Sequence, residues 1–153
     1  LESYAKSRPG KDGVALFGAA MEGRTFADMK ERTQVYGWDE FIDEVCGEKL
    51  AFLQKHFSFD GQPAEHRVPL GKSAAYRLLS LLEAKEQSVQ LARFAYVLAR
   101  LDPGEKAASA DTYQQIRTQL YAWYRDKKEW RQLSTALQFI IYSIREKGAR
   151  DGD

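Results

Sequence analysis

The second half of this chain constrains its fold most, because apolar patterns with a period near 3.6 follow one another there and each stops at a helix-breaking signal. The stretch GKSAAYRLLSLLE, 71–83, places Tyr76, Leu78, Leu79, Leu81 and Leu82 on one helix. VQLARFAYVLARL makes the next, and Pro103 ends it at Asp102 because proline disfavours helix in the residue before it. The small-residue linker PGEKAASAD leads to Thr112 and Gln115, spaced as a capping box for a helix carrying Tyr113, Ile116, Leu120 and Trp123. A last helix carries Trp130, Leu133, Leu137, Ile140, Ile141 and Ile144, and Gly148 is the expected stop.

Upstream, WDEFIDEVCGEKLAFLQKHF puts Trp38, Phe41, Ile42, Val45, Phe52, Leu53 and Phe57 at helical spacing, with Gly47 as a candidate break. Its apolar side is expected in the core. Asp39, Glu40, Asp43 and Glu44 follow Trp38 in the first turns, where the helix dipole favours acidic residues, so capping outweighs a metal or acid/base role. Residues 58–70, with Gly61, Pro63 and Pro69, read as a loop, and RTFADMKERTQVYG before the helix reads as a loop or short ribbon. Residues 1–18 read as a helix end, a turn at Pro9 and Gly10, and one short strand from Gly13 to Phe17. About five helices after one strand predict a mainly α chain, a helical bundle appended to the edge of a sheet.

Composition narrows function more than it names it. Lys+Arg 23 against Asp+Glu 22 gives a net charge of +1, so any binding to nucleic acid or acidic surfaces is local. The single cysteine, Cys46, excludes an internal disulfide and a cysteine-rich zinc site, and two histidines, His56 and His66, are too few for a metal cluster. A reducing, cytoplasmic setting without membrane contact is the expectation, since no apolar run approaches the roughly 20 residues a span requires. The chain starts at Leu1 inside an expected helix, which suggests a fragment.

Several residue groups invite a chemical reading. Gly71, Lys72 and Ser73 match the end of a P-loop, but His66 stands where its first glycine belongs and no β-branched strand precedes it. A turn at Pro69 and Gly71, with Ser73 as helix cap and Lys72 solvated, accounts for the same residues. Arg93 and Arg100, seven residues apart, share a helix face that Arg77 and Tyr96 can extend into a basic stripe for a phosphodiester backbone. A solvated face paired with Glu83 or Glu86 is the simpler account. Trp123 and Trp130 read as core, the run from Arg125 to Arg131 as surface, and Cys46 as an inert thiol. Lys6 and Lys11 flank the turn before the strand and can hold a triphosphate as point charges, although spacing alone favours two exposed lysines.

The opening SYAKSRPGKDGVALFG resembles the closing element of GGDEF-type nucleotide cyclase domains. With YGWDEFIDEV, GKSAAYRLLSLLE, LARFAYVLARLDP and ALQFIIYSIREKG in order, the chain resembles the C-terminal part of the large, polymerase-like subunit of type III-A CRISPR (Csm) effector complexes. The resemblance implies that residues 1–18 complete the second, GGDEF-like palm domain, that 19–37 connect, that 38–148 form a C-terminal helical domain and that 149–153 are a tail. It further implies a parent subunit that makes cyclic oligoadenylates from ATP with divalent metal ions and cuts single-stranded DNA when target RNA binds. This segment then has no catalytic residue and binds no cofactor alone. Lys6 and Lys11 map onto triphosphate contacts, although AKSRPGK is one residue longer than the usual spacing. Implied partners are the other Csm subunits, above all the small helical ones, with CRISPR RNA and target RNA. The rival reading is a stand-alone helical nucleic-acid-binding protein, similar to a CRISPR small subunit, using Arg77, Arg93 and Arg100.

Overall fold

The computed structural model of the chain describes residues 13–16, 34–59, 66–83 and 87–151. They belong to two compact units, Leu1–Glu48 and Lys49–Asp153.

In the first unit a four-residue strand leaves its backbone groups without partners unless another segment supplies them. Here β1 (Gly13–Leu16) pairs antiparallel with β2 (Gln34–Gly37), Gly13 opposite Gly37 and Leu16 opposite Gln34. The last four residues of the segment read as a loop or short ribbon are thus strand β2, and β1 covers the first four residues of the strand expected from Gly13 to Phe17; residues 17–33 lie outside the described residues. The helix end and turn expected in residues 1–12 lie outside the described residues.

Helix α1 follows β2 directly and comprises Trp38–Glu40, a π-helical stretch Phe41–Leu50, and Ala51–His56. Gly47 does not break it. A Cβ there would lie 3.1 Å from the Ile42 carbonyl oxygen, so the wide coil is closely packed at this position. The winding also corrects the expected apolar side, because a stripe read at 3.6 residues per turn drifts in a π-helix. Val45 is buried, whereas Trp38 and Ile42 are 51% and 57% exposed. Gly37 occupies the N-cap without a side-chain bond, and Asp39 and Glu40 lie in the first turn.

The second unit contains the last turns of α1, then α2 (Lys72–Glu83), α3 (Gln87–Arg100), α4 (Ala110–Tyr124) and α5 (Lys127–Asp151). The expectation of a mainly α fold is met. Between α1 and α2, the segment read as a loop includes a short parallel pairing of β3 (Phe57–Ser58) with β4 (Val68–Pro69). Leu70 N–H donates to the Ser58 carbonyl at 2.9 Å and extends it. Helix α5 packs along α2 and α4, α3 lies against α2, and Ala51–His56 lies against α4. The core includes Leu53, Leu78, Leu82, Phe94, Leu98, Ile116, Leu120, Trp123, Leu133, Leu137 and Ile140.

Helix ends depart from their expected positions. Gly71, not Ser73, precedes α2 and accepts from Ala75 N–H at 3.0 Å, leaving Ser73 and Lys72 exposed in the first turn. Ser109 precedes α4 and bonds through its backbone only, so Thr112 and Gln115 fall inside the helix. Helix α5 continues through Gly148 to Asp151. At the end of α3, Leu101 N–H bonds to the Leu98 carbonyl at 3.0 Å, and Gly104 adopts φ 95° with its N–H on Asp102 Oδ1 at 2.9 Å. Glycine takes this left-handed geometry without a Cβ penalty. Tyr76, expected inside α2, is 38% exposed, and Ala75 is buried beside it.

Phe94 fixes α3 on α4. It is fully buried, stacks on Tyr124 at 4.3 Å with the rings 16° from parallel, and meets Tyr121 edge-on at 5.7 Å. Phe94→Ala should destabilise the second unit by about 3–5 kcal/mol, the usual cost of emptying an aromatic core site. The check is a lower denaturant midpoint with an unchanged circular dichroism spectrum at low denaturant.

Candidate interaction site

The residues that hold α3 determine what it presents outward. Phe94, Val97 and Leu98 are buried at i, i+3 and i+4, and the Tyr113 hydroxyl of α4 donates to the Leu98 carbonyl at 2.7 Å. That phenol is pushed above its ordinary pKa, first by burial and then by Asp102, so it stays a neutral donor at physiological pH. At about 100° per residue, Arg93, Tyr96 and Arg100 fall within an arc of about 60° away from this inner side. All three are exposed.

Within the strip, the Arg100 guanidinium lies 5.8 Å from the Tyr96 ring centroid, and its Nη1 donates to the Tyr96 hydroxyl at 3.3 Å. Arg93 and Arg100 have no ion pair among the described residues. Arg77 is exposed on α2, and no contact among the described residues joins it to Arg93 or Arg100. Arg93, Tyr96 and Arg100 thus share one face of α3, with Tyr96 and Arg100 in contact, and Arg77 is on α2. Of the acidic partners expected for such a face, Glu83 accepts from Gln138 Nε2 of α5 at 2.8 Å, and Glu86 lies outside the described residues. Lys6 and Lys11 lie outside them as well.

A second cluster was not legible as a site. Lys49 is fully buried on α1 and forms an ion pair with Glu129 of α5. Its ammonium also lies 5.3 Å from the centroid of the Trp123 ring, which Phe52 meets edge-on at 5.1 Å. A cation over an indole face is attracted by the ring quadrupole, which offsets part of the desolvation cost. Glu129 is presented by the start of α5, where Asp126 Oδ1 accepts from Lys128 N–H at 2.9 Å and Glu129 N–H at 3.2 Å. The sequence signal was available: Val45, Lys49 and Leu53 are spaced by four, which puts the lysine on an apolar side. In the run read as plain surface, Asp126 caps and Glu129 binds. Trp123 and half-buried Trp130 are core, as expected.

Among the described residues no group of three or more His, Cys, Asp or Glu could hold a metal ion. Among them too, no helix is long and apolar enough to cross a membrane. The Cys46 thiol is pushed up by burial, which lowers its thiolate fraction at neutral pH.

These elements define a mainly α-helical domain whose core is fixed by aromatic packing and whose third helix carries a cationic outer strip. Residues 54–146 match the family described as the CRISPR RNA silencing complex Cmr2 subunit, second helical domain, and the chain belongs to that family. It is 34% identical over 149 residues to the "CRISPR system single-strand-specific deoxyribonuclease Cas10/Csm1 (subtype III-A)" of Mycobacterium tuberculosis, covering 96% of this chain and 16% of that protein. The Enterococcus italicus protein of the same name is 31% identical over 114 residues, 74% of this chain and 13% of the relative. That of Streptococcus thermophilus is 26% identical over 149 residues, 95% and 17% of the respective lengths. The chain thus spans about a sixth of the length of these relatives. The resemblance read from its motifs is borne out: this is a C-terminal part of the large subunit.

Two outcomes test this geometry. Glu129→Gln removes the opposite charge beside a buried ammonium and should cost about 3–5 kcal/mol, whereas Lys49→Met, which removes the charge and keeps the volume, should cost clearly less. Equal losses in chemical denaturation would show that the pair acts through packing alone. Cys46 should react with a maleimide more slowly than free cysteine at pH 7, and its rate should climb with pH beyond the range where the free thiol levels off.

Proposed function

We propose that the chain is the interaction and signal-relay end of the large, polymerase-like subunit of a type III-A CRISPR effector complex. The observation that carries the reading is the match of residues 54–146, which takes in α2, α3, α4 and most of α5, to the second helical domain of the Cmr2 subunit of a CRISPR RNA silencing complex. The relatives' name is that of a single-strand-specific deoxyribonuclease. The matched segment is by its description a helical domain, which supports a docking role for this part of the subunit.

In this reading the intact subunit responds to target RNA paired with CRISPR RNA by making cyclic oligoadenylates from ATP, with divalent metal ions, and by cutting single-stranded DNA in the cytoplasm. Residues 1–18 close the second palm domain, 19–37 connect, and 38–148 dock other Csm subunits, chiefly the small helical ones, and relay target binding. Lys6 and Lys11 contact the ATP triphosphate as flexible point charges.

One experiment with the intact complex addresses both parts. Deleting residues 38–153 from the full-length subunit should release the small subunits on size-exclusion chromatography. Lys6→Ala should leave the complex assembled yet lower oligoadenylate synthesis roughly 10- to 100-fold, as expected for a lost charged contact. Small subunits retained by the truncated protein would overturn the docking role, and unchanged synthesis by Lys6→Ala would overturn the triphosphate contact.

A further inference from the structure

We propose that the outer strip of α3 is a track for single-stranded nucleic acid, with Arg93 and Arg100 on separate phosphates and Tyr96 between them as a stacking platform. Nothing in the docking role requires this strip, and the proposal stands without that role.

Charge is the first argument. The α3 sequence QSVQLARFAYVLAR contains two arginines and no acidic residue, although the whole chain is nearly balanced at +1. The cationic character is therefore concentrated locally, and neither arginine is neutralised by an ion pair among the described residues. Seven residues of helix separate them by about 10 Å along the axis, too far for one phosphate and suitable for two.

Preorganisation is the second. Tyr96 is 61% exposed, unusually open for an aromatic side chain in a helix whose neighbouring Phe94 is fully buried. Its hydroxyl and ring hold the Arg100 guanidinium, which uses one of five N–H donors on Tyr96 and has no other partner among the described residues. A guanidinium already ordered on an aromatic ring loses less rotamer freedom on binding a phosphate. Phe94 and the Tyr113–Leu98 hydrogen bond hold the helix beneath it.

The occupant follows from these features. A protein partner would have to bring carboxylates to both arginines, about two helical turns apart, to avoid stranding a desolvated charge. A single strand carries phosphates along its whole length and exposed base faces between them, which suits aromatic and arginine groups without regard to sequence. A duplex offers the same phosphates but keeps its bases stacked, so Tyr96 would be idle.

The test uses the full-length protein in EDTA with labelled 20-mers of oligo(U) and oligo(dT), and the same oligo(dT) annealed to its complement. Photocrosslinking with 4-thiouridine at internal positions should map to Tyr96. Replacing both arginines by alanine should reduce the slope of log K against log salt by roughly 1.4, the value for two single-strand phosphate contacts, whereas the double lysine variant keeps the slope. Tyr96→Leu should weaken oligo(U) binding roughly 5- to 150-fold if stacking contributes 1–3 kcal/mol, and Tyr96→Phe, which keeps the ring and loses only the hydroxyl on Arg100, should weaken it clearly less. An unchanged salt slope together with crosslinks that avoid α3 would overturn the proposal. So would equal effects on duplex, or a double-alanine variant that binds oligonucleotides normally but loses a protein subunit.

Discussion

The midsection of α5 is the constraint on which the helical unit depends. Gln132, Leu133, Ser134, Thr135, Ala136 and Leu137 are all buried, so this stretch has no solvated side on which to place polar groups. Its hydroxyls bond locally: Ser134 Oγ and Thr135 Oγ1 donate to the Arg131 carbonyl at 2.9 and 3.2 Å. A helix enclosed in this way requires neighbours, and α2 and α4 pack along it. Helix α3 lies against α2 and is held on α4 through Phe94, and its outer side carries Arg93 and Arg100.

The buried lysine shows how the same unit accommodates an ionic group. Taking an ammonium and a carboxylate out of water costs several kcal/mol per ion, and the attraction between them returns that only in good geometry. Here Trp123 and a capped helix start complete the surroundings of the pair. Asp126 and Glu129 have the spacing of a capping box, yet among the described residues Glu129 gives its carboxylate to Lys49 and not to the Asp126 N–H. The corner between α4 and α5 is thereby committed to α1.

Much of this was legible because helical periodicity is set by side-chain burial, and the stripes through Leu78, Leu98, Ile116 and Leu137 are unambiguous. Helix ends were less so. Thr112 and Gln115 have cap chemistry, but the same residues are compatible with a first turn, and the small residues Ala107–Ala110 let the helix begin earlier. The shift of Trp38 and Ile42 to solvent could not be read, since π winding has no simple sequence signature. Lys49 escaped notice because lysine is by default a surface residue, although its spacing from Val45 and Leu53 and the pattern at 126–129 were both in the sequence. For the candidate strip, the interval from Arg93 to Arg100 showed a shared helix face but favoured a solvated, paired one, and the contact of Tyr96 with Arg100 emerged only in the fold.

The pairing of Lys49 with Glu129 also bears on how the unit assembles. The partners are 80 residues apart in sequence, while the helix pairs α2–α3 and α4–α5 are joined by short connections. Closing so long a loop adds only about 0.6 kcal/mol for each doubling of its length, so equilibrium stability is little affected. Kinetically the cost falls early, before the contact returns anything, and local helix hairpins form ahead of it. The last turns of α1 are therefore expected to dock late, with a charged side chain giving up its water only once Trp123 and Glu129 are in place to receive it.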